Sequence, residues 1–388
     1  MTKPQQLSTL TEAVIALLNK SDLPATLTIE QCAPKLAMSM TSFRRKLSQE
    51  ETTYKLIHGK FLNELCVQAL LTHKVKIDHL ALKLGYSERA TFERAFRKKF
   101  GISPSQFREL SLLGSDKSSQ QNLTVIAQHL PPMPESCQQL LQEKEQDSLD
   151  IQRVVGIVEQ DPIFVGRVMG LASKAIYGKT PSNIHEAISR NLGINTVVNL
   201  AVVYGLKDTL QADVNQVILN QYTQAFLKAP KFFQLIRKSV GKRFKLAPAL
   251  LEQVLIFALL GIFLLSHKQA DKHELMFYSL QGMADLDSLN RHISKTMGTS
   301  IYSASSLMLS LWHIDANVIK QLTHLNKVSQ QGNKSNDQDE LLLFMLSCLY
   351  LSAKGYERHE EHDVLAEKAT LLQLDNFAEI EALLFTAE

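Results

Sequence analysis

The sequence predicts an all-α fold, and three observations predict it. Apolar residues recur every three or four positions along most of the chain, glycine and proline are sparse at 16 and 11 of 388 residues, and no convincing strand alternation or hairpin signal occurs. With 45% apolar and 21% charged residues, the chain is globular and long enough for two or three domains. Its net charge of +3 is unevenly divided. Residues 1–110 hold 17 Lys and Arg against 10 Asp and Glu, leaving 25 against 29 for the remainder. A polyanion responds to a local field and not to an average, so the basic front and the mildly acidic rear imply two parts with different tasks.

In chain order, the first informative segment is TIEQCAPKLAMSMTSFRRKLSQE, Thr28 to Glu50. It reads as helix, turn, helix, with Phe43 and Leu47 inward and Thr41, Arg44, Arg45 and Ser48 outward. A long apolar helix around Leu56 to Leu71 follows and sets the spacing to a stronger copy, KIDHLALKLGYSERATFERAFRKKFGISPSQFREL, Lys76 to Leu110. Ile77, Leu80, Ala81 and Leu84 form the stripe of a short helix, Gly85 supplies a permissive turn, and Ser87 is placed to cap the next helix. In that helix Phe92, Phe96 and Phe100 repeat every four residues and point inward. The opposite face carries Ala90, Arg94 and Arg97, with Arg89 and Glu93 on its flanks. Ser103, Pro104 and Gln106 begin another helix with a cap, a compatible proline and a capping-box partner. The polar stretch 111–122 reads as a linker, 329–339 as a loop between helices, and residues 357–388 as a charged helical tail.

Two such units ending in FGISPSQFR closely resemble the AraC/XylS DNA-binding domain, from about residue 25 to 110. The resemblance implies double-stranded DNA as the partner, with one recognition helix per unit in successive major grooves, ~34 Å apart. It places Thr41, Arg44, Arg45, Arg89, Ala90, Glu93 and Arg94 toward bases, and Arg97 and Lys98 nearer phosphates. From charge alone a solvated helix face is the better description of these arginines; the duplicated pattern reverses that and favours DNA. The first unit departs from the family in two places. Pro34 falls within its first helix, where a proline costs about 3 kcal/mol unless the helix bends or starts late, and Ala37 stands where glycine is usual.

In the rear, Asp161 with Pro162 predicts a helix start, Asn183 with Glu186 a capping pair, and Gly178 and Gly193 helix ends. LPPMP, EQDPIFVGRVMGLAS and HEAISRNLGINTVVNL together resemble the HDOD domain, a helical relative of the HD phosphohydrolases, over Leu123 to Leu210 and more faintly to Tyr356. Such domains are generally non-enzymatic and occur in bacterial signalling proteins. The resemblance therefore implies an HD-like helical bundle over 123–356. The segment expected to bear a His-Asp doublet reads FALLGIFLLSHKQADKH and has none; the doublet His362-Asp363 lies in the charged tail, where nothing apolar would fix ligand geometry. His267 with His273, and His313 with His324, lack i, i+4 spacing and read as surface or half-buried residues.

No phosphate loop, nucleophile elbow or Cys-His nucleophile pattern occurs, and the four cysteines form no CxxC pair, so the chain reads as no enzyme, with no metal and no cofactor. The apolar runs 254–265 and 341–351 fall short of a membrane span and read as buried helices, and no leader pattern opens the chain. The expectation is a cytoplasmic bacterial transcription regulator with an AraC-type reader in front and a non-catalytic HDOD domain behind that takes a protein partner or small effector. A signalling adaptor with a degenerate reader, and a metal-dependent phosphohydrolase, are the alternatives.

Overall fold

Helices carry all the regular structure among the residues described in this computed structural model: 9–50, 52–71, 75–100, 102–112, 133–144, 150–241, 248–270, 272–312, 314–331, 336–355 and 360–385. The extended pairing seen there is an isolated bridge between Val214 and His267. Two units divide the chain, Met1–Glu109 and Leu110–Glu388.

In the front unit α1 spans Leu10–Lys20, α2 Ile29–Lys35, α3 Met40–Gln49, α4 Tyr54–Leu71, α5 Ile77–Lys83, α6 Arg89–Phe100 and α7 Pro104–Leu112. Val14 and Leu18 of α1 pack with Phe43, Leu47, Ile57 and Phe61 into a first core. Glu50, just past α3, ties this core together. Its carboxylate accepts from the backbone N–H of Leu10 at 2.8 Å, the N–H of Thr11 at 3.0 Å and the Thr11 hydroxyl at 2.7 Å. Those N–H groups open α1 and have no partner within their helix, so a carboxylate there meets both an unfilled donor set and the positive end of the helix dipole. The Thr11 hydroxyl is the leading cause that holds the Glu50 carboxyl below its ordinary range. A second core surrounds the phenylalanine stripe of α6. Phe92, Phe96 and Phe100 are buried; Phe96 stacks on Phe100 at 4.2 Å and meets Phe107 of α7 edge-on at 5.6 Å.

The rear unit begins, among the described residues, with the helix Glu135–Lys144, followed by Ile151–Glu159, Pro162–Ala172, Ile184–Glu186 with a π-helical turn Ala187–Leu192, and Ile194–Leu210. The expected boundaries hold locally. Asp161 accepts from the N–H groups of Ile163 and Phe164, Asn183 from that of Glu186 at 2.8 Å, and Gly178 and Gly193 take φ of +89° and +83°. Arg167 clamps two of these helices by donating to both oxygens of Asp208 at 2.7 and 2.8 Å while lying over the Tyr204 ring at 4.7 Å. Cys137 donates to the Ala201 carbonyl at 3.0 Å, and its burial pushes the thiol up to about 12.

Beyond these lie Gln216–Val240, Pro248–Phe257, Gly261–Leu265, His273–Gly282, Leu286–Met297, Ile301–Leu311, Ala316–Gln331, Asp337–Lys354, Glu360–Leu371 and Phe377–Phe385. The 18 residues Pro248–Leu265 have the composition of a membrane span, yet 78% of them are buried, and a turn at 258–260 divides them into two helices. Gly261 explains the break. A Cβ there would lie 2.2 Å from the Ile301 carbonyl oxygen and 2.7 Å from the Ser305 nitrogen, so only glycine lets the helix Ile301–Leu311 approach. Its N–H donates to the Ser305 hydroxyl, which itself donates to the Ala258 carbonyl. The end of the charged tail is docked. Ile380 and Leu384 are buried, and the Leu384 carbonyl accepts from Lys228 Nζ and Ser352 Oγ. The linker 113–122, residues 332–335 of the polar loop and His313 lie outside the described residues.

Candidate nucleic-acid interface

Both helix-turn-helix units close with the same backbone hydrogen bonds. In the second, Gly85 N–H donates to the Leu82 carbonyl at 2.9 Å and Tyr86 N–H to Ala81 at 3.0 Å. In the first, Ala37 N–H donates to Pro34 at 2.9 Å and Met38 N–H to Ala33 at 2.9 Å. The left-handed residue is Gly85 at φ +81° in one and Ala37 at φ +54° in the other. Both departures of the first unit are thereby accommodated. Pro34 is the second-last residue of α2, so it removes a single donor from the final turn. Ala37 adopts the glycine conformation at a strain of roughly 1–2 kcal/mol.

The turns differ by one residue. Ser39 caps α3 and accepts from Ser42 N–H at 3.2 Å, whereas α6 starts at Arg89, two residues after the corresponding Ser87. Glu88 therefore occupies the cap position expected for Ser87; its carbonyl accepts from Phe92 N–H at 3.3 Å. With Phe43 and Phe92 in register as the first buried aromatic of each helix, Thr41 corresponds to Ala90, Arg44 to Glu93 and Arg45 to Arg94.

The inward stripes leave the expected contact residues at the surface. Thr41, Arg44 and Arg45 of α3 and Arg89, Ala90, Arg94, Arg97 and Lys98 of α6 are exposed, and Glu93 is half-buried. They are not electrostatically alike. Arg89 Nε donates to Glu93 Oε1 at 2.6 Å, and another arm of its guanidinium lies 3.8 Å from Asp78 of α5. The Glu93 hydrogen bond, before any other influence, raises the basicity of Arg89. Among the described residues, Arg94 makes a single long contact, to the Thr91 hydroxyl 3.4 Å away. The geometry thus presents two guanidinium-bearing helix faces, one of them interrupted by an ion pair.

Sequence reasoning passes over the groups that hold these faces. Tyr54 donates to the Leu27 carbonyl at 2.6 Å, His58 Nε2 lies 2.9 Å from the Pro24 carbonyl, and Arg108 donates to the Val75 carbonyl at 2.8 Å. Each meets a backbone carbonyl distant in sequence, a pairing that no local pattern announces. In the rear unit, His267 is buried, against the expectation of a surface or half-buried residue: its Nδ1 accepts from Gln269 N–H at 3.2 Å and its Nε2 lies 3.9 Å from Asp213. It also forms the isolated bridge to Val214. His273 is half-buried, and His324 meets the buried Asp339 at 3.0 Å. Among the described residues no three His, Cys, Asp or Glu side chains converge, so these residues do not fit an HD-type metal centre.

Residues 32–110 match a helix-turn-helix domain family, and residues 130–328, half of the chain, match the HDOD domain family. The ornithine utilization regulator of Pseudomonas aeruginosa is 40% identical over 81 residues, 21% of this chain and 24% of that protein. The HTH-type transcriptional regulator VqsM of the same organism is 38% identical over 76 residues, 20% and 23% of the two chains. This chain thus spans about a quarter of the length of those curated relatives. An HDOD domain protein of Geobacter sulfurreducens aligns at a TM-score of 0.47 with 12% identity, over 69% of this chain and 99% of that one. Similarity at this level leaves the chemistry to be read from the residues themselves.

Proposed function

Because the chain belongs to the HDOD domain family and carries an AraC-like double helix-turn-helix in front, we propose that it is a sequence-specific DNA-binding transcription regulator. One observation carries this reading. Two helices, each preceded by a turn closed by the same backbone hydrogen bonds, bury an apolar stripe, Phe43 with Leu47 in one and Phe92, Phe96 and Phe100 in the other, and expose arginines; phosphate and guanine are the ligands that such faces match. Thr41, Arg44, Arg45, Arg89, Ala90, Glu93 and Arg94 face bases in this proposal, and Arg97 and Lys98 face phosphates. The HDOD unit is read as a non-catalytic sensing or interaction module, since its described residues do not fit a metal centre, and a DNA-reading front places the chain in the cytoplasm in this proposal. The domain limits proposed are 1–110 and 123–356, with 111–122 between them.

Chromatin immunoprecipitation of the native protein tests the function and identifies the targets together. Discrete peaks that share a motif are expected. Uniform genomic coverage would instead support an adaptor without useful DNA affinity.

A further inference from the structure

The second recognition helix holds a carboxylate where the first holds a guanidinium. Glu93 occupies the position of Arg44, its Oε1 accepts from Arg89 Nε at 2.6 Å, and Asp78 adds a second carboxylate 3.8 Å from the same guanidinium. Away from DNA, Arg89 therefore sits between two negative charges, and the start of α6 offers no net attraction to a phosphate. Arg94, Arg97 and Lys98 further along the helix supply that attraction.

A carboxylate on a face that meets DNA is repelled by every phosphate it approaches, so for an arbitrary sequence Glu93 weakens binding. The repulsion turns to attraction when the carboxylate meets an amino group on a base edge; the major groove offers one on cytosine N4 and one on adenine N6, but the adenine amino group stands beside the N7 acceptor, which repels a carboxylate, so cytosine is the better match. Arg89 Nε bonds Oε1, and among the described residues Oε2 is left to accept. The ion pair also fixes the carboxylate rotamer before DNA arrives, so less side-chain freedom is lost on contact.

We propose that Glu93 is a specificity determinant that acts by rejection: held by Arg89, its carboxylate admits sites with a cytosine amino group opposite it and turns away the rest. This rests on the DNA-reading function proposed above. It gives the two recognition helices unequal tasks. Arg44, at the corresponding position of the first helix, carries no such penalty, and Glu93 in the second loosens binding everywhere but at the right base.

The test uses the full chain as wild type, Glu93→Gln, Glu93→Ala and Arg89→Ala. Each is first checked for an unchanged melting curve, and the isosteric Gln variant stands in where Ala disturbs folding. Wild type selects a site from a randomised duplex pool; fluorescence anisotropy then measures affinity for that site and for a scrambled duplex across a salt series. Both Glu93 variants are expected to bind the scrambled duplex several-fold tighter, with a salt slope steeper by about one as Arg89 becomes available to phosphate. The ratio of selected to scrambled affinity should fall about tenfold, and cytosine preference at one position should vanish from repeat selections. Arg89→Ala should weaken both duplexes. Weaker binding of the scrambled duplex by the Glu93 variants, or an unchanged ratio, overturns the proposal while leaving DNA reading intact. Failure of wild type to enrich any duplex overturns both.

Discussion

Ala37 and Gly85 occupy the same corner of the two repeats, at φ of +54° and +81°, and they make the cost of the left-handed conformation measurable within one protein. Ala37 is exposed, so its methyl contributes little packing. Ala37→Gly should relieve about 1–2 kcal/mol of strain and return about half of that as unfolded-chain entropy, a net gain of roughly 0.5–1 kcal/mol in urea denaturation. Gly85→Ala should do the reverse and more. Its Cβ would come 3.0 Å from that of Ala25, so a loss of about 2 kcal/mol is expected from strain plus crowding. At this scale the second repeat was legible, because Gly85, the phenylalanines and the Ser103–Gln106 capping box are local signals; Ser103 N–H meets Gln106 Oε1 at 2.9 Å as its spacing implies. Ser87 was not. One extra residue in the turn moves the helix start to Arg89, and a serine two positions early looks like a cap in the sequence.

Among the helices, junctions decide what the pattern leaves open. Glu50 joins the end of α3 to the start of α1, and its carboxyl is depressed below the unfolded value, so its stabilisation is present above the ordinary glutamate range and is lost as pH falls through the folded value. Glu50→Gln should therefore lower front-unit stability at pH 7 and flatten the dependence of stability on pH in the acid range. Equal pH profiles for the two proteins in chemical denaturation would contradict this role. The apolar run through Leu265 announces burial in sequence, but its break does not show until the partner is known: Gly261 sits against the backbone at Ile301 and Ser305. Gly261→Ala, unable to shift a carbonyl and an amide at once, should cost several kcal/mol, with a far lower melting temperature or no soluble protein. His267 was misread for a similar reason. It pairs with Val214, remote in sequence, a contact that no local pattern announces.

Across the whole molecule, the division of charge along the chain matches a division of cores. The front unit buries its own aromatic clusters around Phe43 and Phe96, so residues 1–114 should melt cooperatively by circular dichroism and retain DNA binding. A non-cooperative trace would mean that the front core is incomplete alone. Composition and periodicity carried the all-α class, while both family resemblances lay in particular motifs, FGISPSQFR in the front and EQDPIFVGRVMGLAS with HEAISRNLGINTVVNL in the rear. Neither could supply the distant carbonyls that Tyr54, His58 and Arg108 meet, since those contacts exist only after the helices have packed.

DNA reading by the second recognition helix is tested most directly by anisotropy with a selected and a scrambled duplex on wild type, Arg94→Ala and Arg97→Ala across a salt series. Arg94 is exposed near the centre of the outward face, where a guanidinium reaches two acceptors on guanine, and Arg97 lies nearly one turn farther along. Arg94→Ala should cost about 1–3 kcal/mol on the selected duplex and little on the scrambled one. Arg97→Ala should weaken both alike and reduce the salt slope by about one. If neither substitution changes affinity or the ratio between duplexes, these arginines form only a solvated face, and the helix does not read DNA.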